Sequence, residues 1–270
     1  MKNIVNGLKN ILYKLIICYI SIQYVHAQDI TYALDFISVP KYGSINSECV
    51  YADVLNHCKQ SHHGDQDGRY TNVHETAHGI HNELRNIYRK NLKTSVNVFY
   101  CLNGKGVIVK DPNIKMRHIN RYVPTNLRSS RYKVYLVDQV KYWDDTPTYI
   151  LDEWNCYILG AECAVDDHSR NRRLEKTDAV SGALELGLYS VAMAMAVKEN
   201  DPEYWDSYPQ FRAFLQYNLI RSERVFGKGA SILEFQHKEQ DRLQQSLLND
   251  ADSEPMRQFL KTEFSGIFVN

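Results

Sequence analysis

The sequence predicts an α+β protein with a small β-sheet, one metal-binding helix and a mainly helical C-terminal half. Three observations predict it. Short runs rich in β-branched and aromatic residues, broken by turn residues, fill much of the stretch between 30 and 140. Among them, Val73-His74-Glu75-Thr76-Ala77-His78-Gly79-Ile80-His81 carries the pattern His-Glu-x-x-His beside apolar residues at helical spacing. From Thr146 onward the apolar spacing is helical almost to the end.

The 270 residues are 44% apolar and 24% charged, enough for one large domain or two small ones. Thirty-two basic side chains balance 32 acidic ones, so no overall field favours a nucleic-acid partner. Three regions are expected: a signal peptide over 1–27, a mixed region over 28–165 that holds the His-Glu-x-x-His helix and the Glu153 helix, and a helical region over 166–270 that completes a cleft.

The N-terminus reads as a secretory signal. Lys2, Lys9 and Lys14 precede the apolar run Leu15–Ile22, and Val25-His26-Ala27 offers small residues for cleavage before Gln28. The run is too short and too interrupted to span a bilayer, and no later stretch is expected to anchor the chain. A secreted or periplasmic protein is the expectation. Export permits disulfides among the five cysteines beyond the signal. Cys49 with Cys58 would close a small loop, and Cys101 would pair with Cys156 or Cys163, which lie too far apart along one helix to bond each other. No Cys-x-x-Cys occurs, so a zinc–thiolate site is a poor reading.

In chain order, residues 30 to 40 predict a first strand. The polar stretch 41 to 70 follows, with turn glycines and the loop histidines His57, His62 and His63 expected in solvent. The metal helix should run from Asn72, as its cap, to Lys90. Its apolar stripe is Val73, Ala77, Ile80, Leu84 and Ile87, with His74, His78, His81 and Arg85 alongside. A hairpin is predicted around Asn103-Gly104-Lys105, and a further strand over Tyr132 to Val140. The basic segment Arg117 to Arg131 reads as a solvated loop or as a wall for acidic groups of a substrate. Helices should cover Thr146 to Val165, with Ile150, Trp154 and Ala161 inward, and Ala179 to Val197, apolar nearly all round. Glu185 on the second of these would need a partner.

Two histidines four apart leave one face of a helix one turn apart, which suits two nitrogen ligands on one tetrahedral Zn²⁺. A third ligand would leave the fourth position open for water, and Glu75 would take the proton of that water as it attacks. Either His81 or Glu153, in Asp152-Glu153-Trp154-Asn155-Cys156-Tyr157, can be the third ligand. His81 crowds the arc already held by His74 and His78, so an outer or substrate contact suits it better.

On these two segments the chain resembles the gluzincin metallopeptidases, the thermolysin-like class. The resemblance implies a zincin-like fold, with zinc held by His74, His78 and Glu153 and with Glu75 as general base. The absence of a histidine at position 84, where Leu84 stands, excludes the metzincin arrangement. Two departures matter. Residues 79–152 make an unusually long gap between ligands, and Tyr157 stands where the family keeps an aspartate that orients a histidine. That carboxylate must come from Asp152 or Glu185, unless a backbone carbonyl replaces it. Tyr157 either packs in the core or donates to the oxyanion, a role also open to His81, His118 or His237. The expected function is a secreted zinc peptidase acting on a peptide or protein substrate. The competing expectations are a non-catalytic binding protein and a cell-wall amide hydrolase.

Overall fold

The computed structural model describes residues 33–59 and 68–270. The proposed signal, His62, His63 and the start of the first predicted strand lie outside the described residues. The architecture is mixed, with a small antiparallel sheet laid against a mostly helical body. Strands β1 (Ile37–Ser38), β2 (Val96–Tyr100) and β3 (Lys105–Lys110) pair in the order β1-β3-β2. The hairpin forms with Val98 opposite Ile108 and Tyr100 opposite Gly106. Its turn needs left-handed backbone at Leu102, Asn103 and Gly104, and asparagine and glycine tolerate that best. Every residue of β2 is buried.

The body is built mainly from helices α1 (Val50–His57), α2 (Arg69–Leu92), α3 (Tyr149–Ser169), α4 (Ala179–Asn200) and α5 (Pro209–Gly229). Helix α3 packs against α2, α4 and α5, and β2 lies on α2. A contiguous buried core runs from Val39 to Ile267 and joins the regions placed before and after residue 165, a boundary that falls inside α3. Helix α4 is long and apolar enough to cross a bilayer by composition, but nearly all of it is buried within the fold.

Several expectations are corrected. Helix α2 begins before Asn72, because the Glu175 carboxylate accepts from Arg69 N at 2.7 Å and supplies the negative charge a helix start favours. Asn72 instead lies inside the helix, donating to Tyr51 and accepting from Thr76. Val73, Ala77, Ile80 and Leu84 are buried as the stripe requires, whereas Ile87 is 42% exposed where the helix runs past the core. The strand predicted over Tyr132 to Val140 is helical instead. Ser129 caps a turn at Ser130–Lys133, a π-helical turn covers Val134–Asp138, and an α-turn follows at Val140–Trp143. A short continuous apolar run such as 134–137 does not tell strand from helix.

The cysteine pairings are not made. Cys49 and Cys58 cap opposite ends of α1, and Cys101, Cys156 and Cys163 are buried thiols. His57 is buried rather than solvated, its Nδ1 lying 2.7 Å from the Tyr100 hydroxyl.

Candidate metal centre

Helix α2 presents His74 and His78 at the margin of its buried stripe, with side chains 15% and 23% exposed. Helix α3 crosses behind them and delivers Asp152 and Glu153, both buried. His74 Nε2 and His78 Nε2 stand 3.1 Å apart. Glu153 Oε2 lies 3.6 Å from the first and 3.5 Å from the second. Ligand bonds of about 2.0–2.2 Å at tetrahedral angles put ligand atoms about 3.3–3.6 Å apart. The two sides to Glu153 fall in that range and the side between the histidines is slightly shorter, so these three residues can hold a metal ion. Of the two candidates for third ligand, Glu153 is the one brought to both Nε2 atoms.

The electrostatics of the group agree with that. Burial alone would raise the Glu153 carboxyl, but hydrogen bonds from His74 and His78 overcome it and hold it down at about 2. Burial likewise opposes ionisation of Asp152, and His81 and His78 outweigh it, keeping the carboxyl well below its usual range. Burial also opposes a charge on His78, yet the acidic groups around it draw its pKa well upward. Two ionised carboxylates and an imidazole pulled toward its cationic form describe a pocket short of positive charge.

Of the two carboxylates weighed for holding a histidine, Asp152 is the one beside His78. Its Oδ2 lies 3.2 Å from His78 Nδ1, and its Oδ1 meets His81 Nδ1 in a short hydrogen bond. Glu185 is not available for that task. It is fully buried and accepts from Arg131 at 2.9 Å, from Tyr189 and from Ser129. Arg131 is thereby taken from the solvated basic segment into the core, where it also pairs with Asp178.

His81 is 1% exposed, between Asp152 and Asn155, with its ring edge against Phe99. That rules out the substrate or oxyanion contact expected of it and leaves the outer, supporting position. His118 accepts from Lys115 N and His237 from Glu239 N, so both close local turns rather than join the donor group. Glu75 is exposed, one residue beyond His74, with no hydrogen bond or ion pair among the described residues.

Tyr157 packs its ring against His74 at 4.7 Å, and its hydroxyl lies 3.1 Å from that of Tyr135. Its ring also fills the space a side chain at Gly182 would need. Burial raises both phenols, so they remain protonated donors. Tyr135 and Tyr149 were missed from sequence. Tyr149, Glu153 and Tyr157 are spaced four apart on α3, which puts them on one face and could have found Tyr149. Tyr135 carries no such signal, because the π-helical turn that aims it was read as a strand. Burial and the Glu153 charge push the Tyr149 phenol up, consistent with its position beside that carboxylate.

The thiol of Cys156 lies 3.7 Å from His81 Nδ1, close behind the centre, and burial pushes it up to about 12. His78, His81, Asp152 and Cys156 form a second compact group of possible ligands, one that spacing alone did not suggest.

The class these features define is an α+β protein with a candidate metal centre of two histidines and a glutamate. Comparison with protein-family models, curated proteins and solved structures returns no match to the chain.

Proposed function

We propose that the chain is a zinc-dependent hydrolase of gluzincin type, exported from the cell, that cleaves peptide bonds in a protein or peptide substrate. The observation that carries this reading is the triangle of His74, His78 and Glu153, at zinc-ligand spacing, with Glu75 one residue along the same helix. Two imidazoles and one carboxylate are the donors of catalytic rather than structural zinc sites, which keep an open position.

Zinc held there would supply a Lewis acid for the scissile carbonyl and lower the pKa of a water. Glu75, exposed and unengaged, takes the proton from the attacking water and returns it to the leaving amine. Tyr157, with Tyr135 behind it, donates to the oxygen on which negative charge develops. Asp152 holds the His78 ring by its Nδ1, which leaves Nε2 as the ligand atom.

The test measures zinc per chain and cleavage of a denatured protein mixture, for the wild type and for Glu75→Gln. The expected result is about one zinc in both, with cleavage reduced roughly 10²–10⁴-fold in the variant. Zinc uptake without cleavage by either protein would leave a binding protein in its place. Clearing of a cell-wall suspension, with no proteolysis, would move the substrate to a cell-wall amide.

A further inference from the structure

Behind the metal centre a hydrogen-bonded chain of buried side chains runs through the core along α3 and α5. It starts at Arg221, which is 3% exposed and can only donate. Its Nε and Nη2 bind the two oxygens of Glu162 at 3.0 and 2.6 Å. Its Nη1 reaches Asn155 Oδ1 at 3.1 Å and Asn218 Oδ1 at 2.9 Å. Asn218 Nδ2 donates to Asn155 Oδ1 as well, at 3.3 Å. On the other side, Asn155 Nδ2 lies 2.8 Å from the carbonyl of Tyr100, which can only accept.

These partners fix which way the Asn155 amide points. Its oxygen faces a guanidinium and its nitrogen faces a carbonyl, so the flipped amide would oppose donor to donor and acceptor to acceptor. The same nitrogen lies 3.2 Å from His81 Nε2. That ring nitrogen must therefore accept, and the imidazole proton must sit on Nδ1. Nδ1–H then donates to Asp152 Oδ1, and Asp152 is left to accept from His78 Nδ1–H through its other oxygen. His78 turns its Nδ1 to Asp152 and its Nε2 to His74 and Glu153.

We infer that Asn155, held by Arg221 and Asn218, is a positioning residue that fixes the tautomer and ring orientation of His81, and through that ring holds the Asp152 carboxylate that steadies the metal-facing His78. The logic is directional: a group that can only donate, deep in the core, fixes the Asn155 amide, and that amide fixes which ring nitrogen of His81 accepts. It also decides between the two donor groups. With a proton on His81 Nδ1, the cluster of His78, His81, Asp152 and Cys156 is a hydrogen-bonded support and not a metal cage. The inference rests on the reading of His74, His78 and Glu153 as the metal site, and deepens it.

The experiment is nitrogen NMR of histidine-labelled protein, together with zinc affinity by chelator competition. In the wild-type chain His81 is expected as the Nδ1–H tautomer, with and without zinc. In Asn155→Asp, a near-isosteric change, position 155 becomes an acceptor, so His81 gains a proton on Nε2 and zinc binds about tenfold more weakly, the lower end for outer partners of a metal ligand. An Nε2–H tautomer in the wild type overturns the inference and needs no variant to fold. Unchanged zinc affinity in Asn155→Asp, with the His81 signal moved, overturns it too. Absence of zinc uptake by the wild type would instead sink the hydrolase reading, while the wild-type spectrum still judges the network.

Discussion

Glu153 and Glu162 sit on one helix, equally buried at 8% exposure, in opposite surroundings. Glu162 accepts from Nε and Nη2 of Arg221 and from Arg224, so its charge is cancelled within the chain. Glu153 meets two imidazole nitrogens and no guanidinium. Burial alone does not separate a structural carboxylate from a candidate ligand. The difference is the character of the partners: Glu162 meets guanidinium groups that can only donate, whereas Glu153 meets imidazole nitrogens that can also give a lone pair to a cation.

The largest effect should come from breaking the cancelled side. Glu162→Leu strands Arg221 in the core, and urea unfolding should show a loss of about 3–5 kcal/mol, while the folded fraction still takes up zinc at saturating concentration. A loss below about 1 kcal/mol would mean the pair is not confined as described. Next comes the uncancelled side. His74→Ala should weaken zinc binding beyond the roughly 10–100-fold typical of an outer partner, as read by chelator competition. Asp152→Asn should fall within that 10–100-fold range with the fold retained, because it loosens the His78 ring without removing a ligand. Equal losses for the two variants would erase the distinction between ligand and support.

The smallest effect is in acid. Glu153 is depressed from its ordinary 4.5 to about 2, so its contribution to stability is fully present above 4.5 and is lost as pH falls toward about 2. Urea unfolding of chelator-treated protein across that window should slope with pH for the wild type, and Glu153→Gln should flatten the slope.

The hairpin was legible because turn residues report a local backbone need. The apolar faces of α2, α3 and α4 were legible because burial imposes the helical period on the sequence. Asp152, one of the alternatives for the orienting carboxylate, was within reach for the same reason, as a neighbour of Glu153. The run around Tyr135 reads as a strand because a short continuous apolar run fits a buried strand and an irregular helix equally well. The buried state of Arg131 was hidden because its partner Glu185 lies 54 positions away, and spacing carries no sign of such pairing.

By itself, then, the sequence determined which atoms of one helix face a common point, since four residues and one helical turn nearly coincide. Only the tertiary structure decided that Glu153 closes the triangle, that Asp152 and not Glu185 holds His78, and that His81 is walled into the core. Each of these depends on how α3 lies across α2, and that crossing is set by side-chain packing between segments distant in the chain, which no local pattern records.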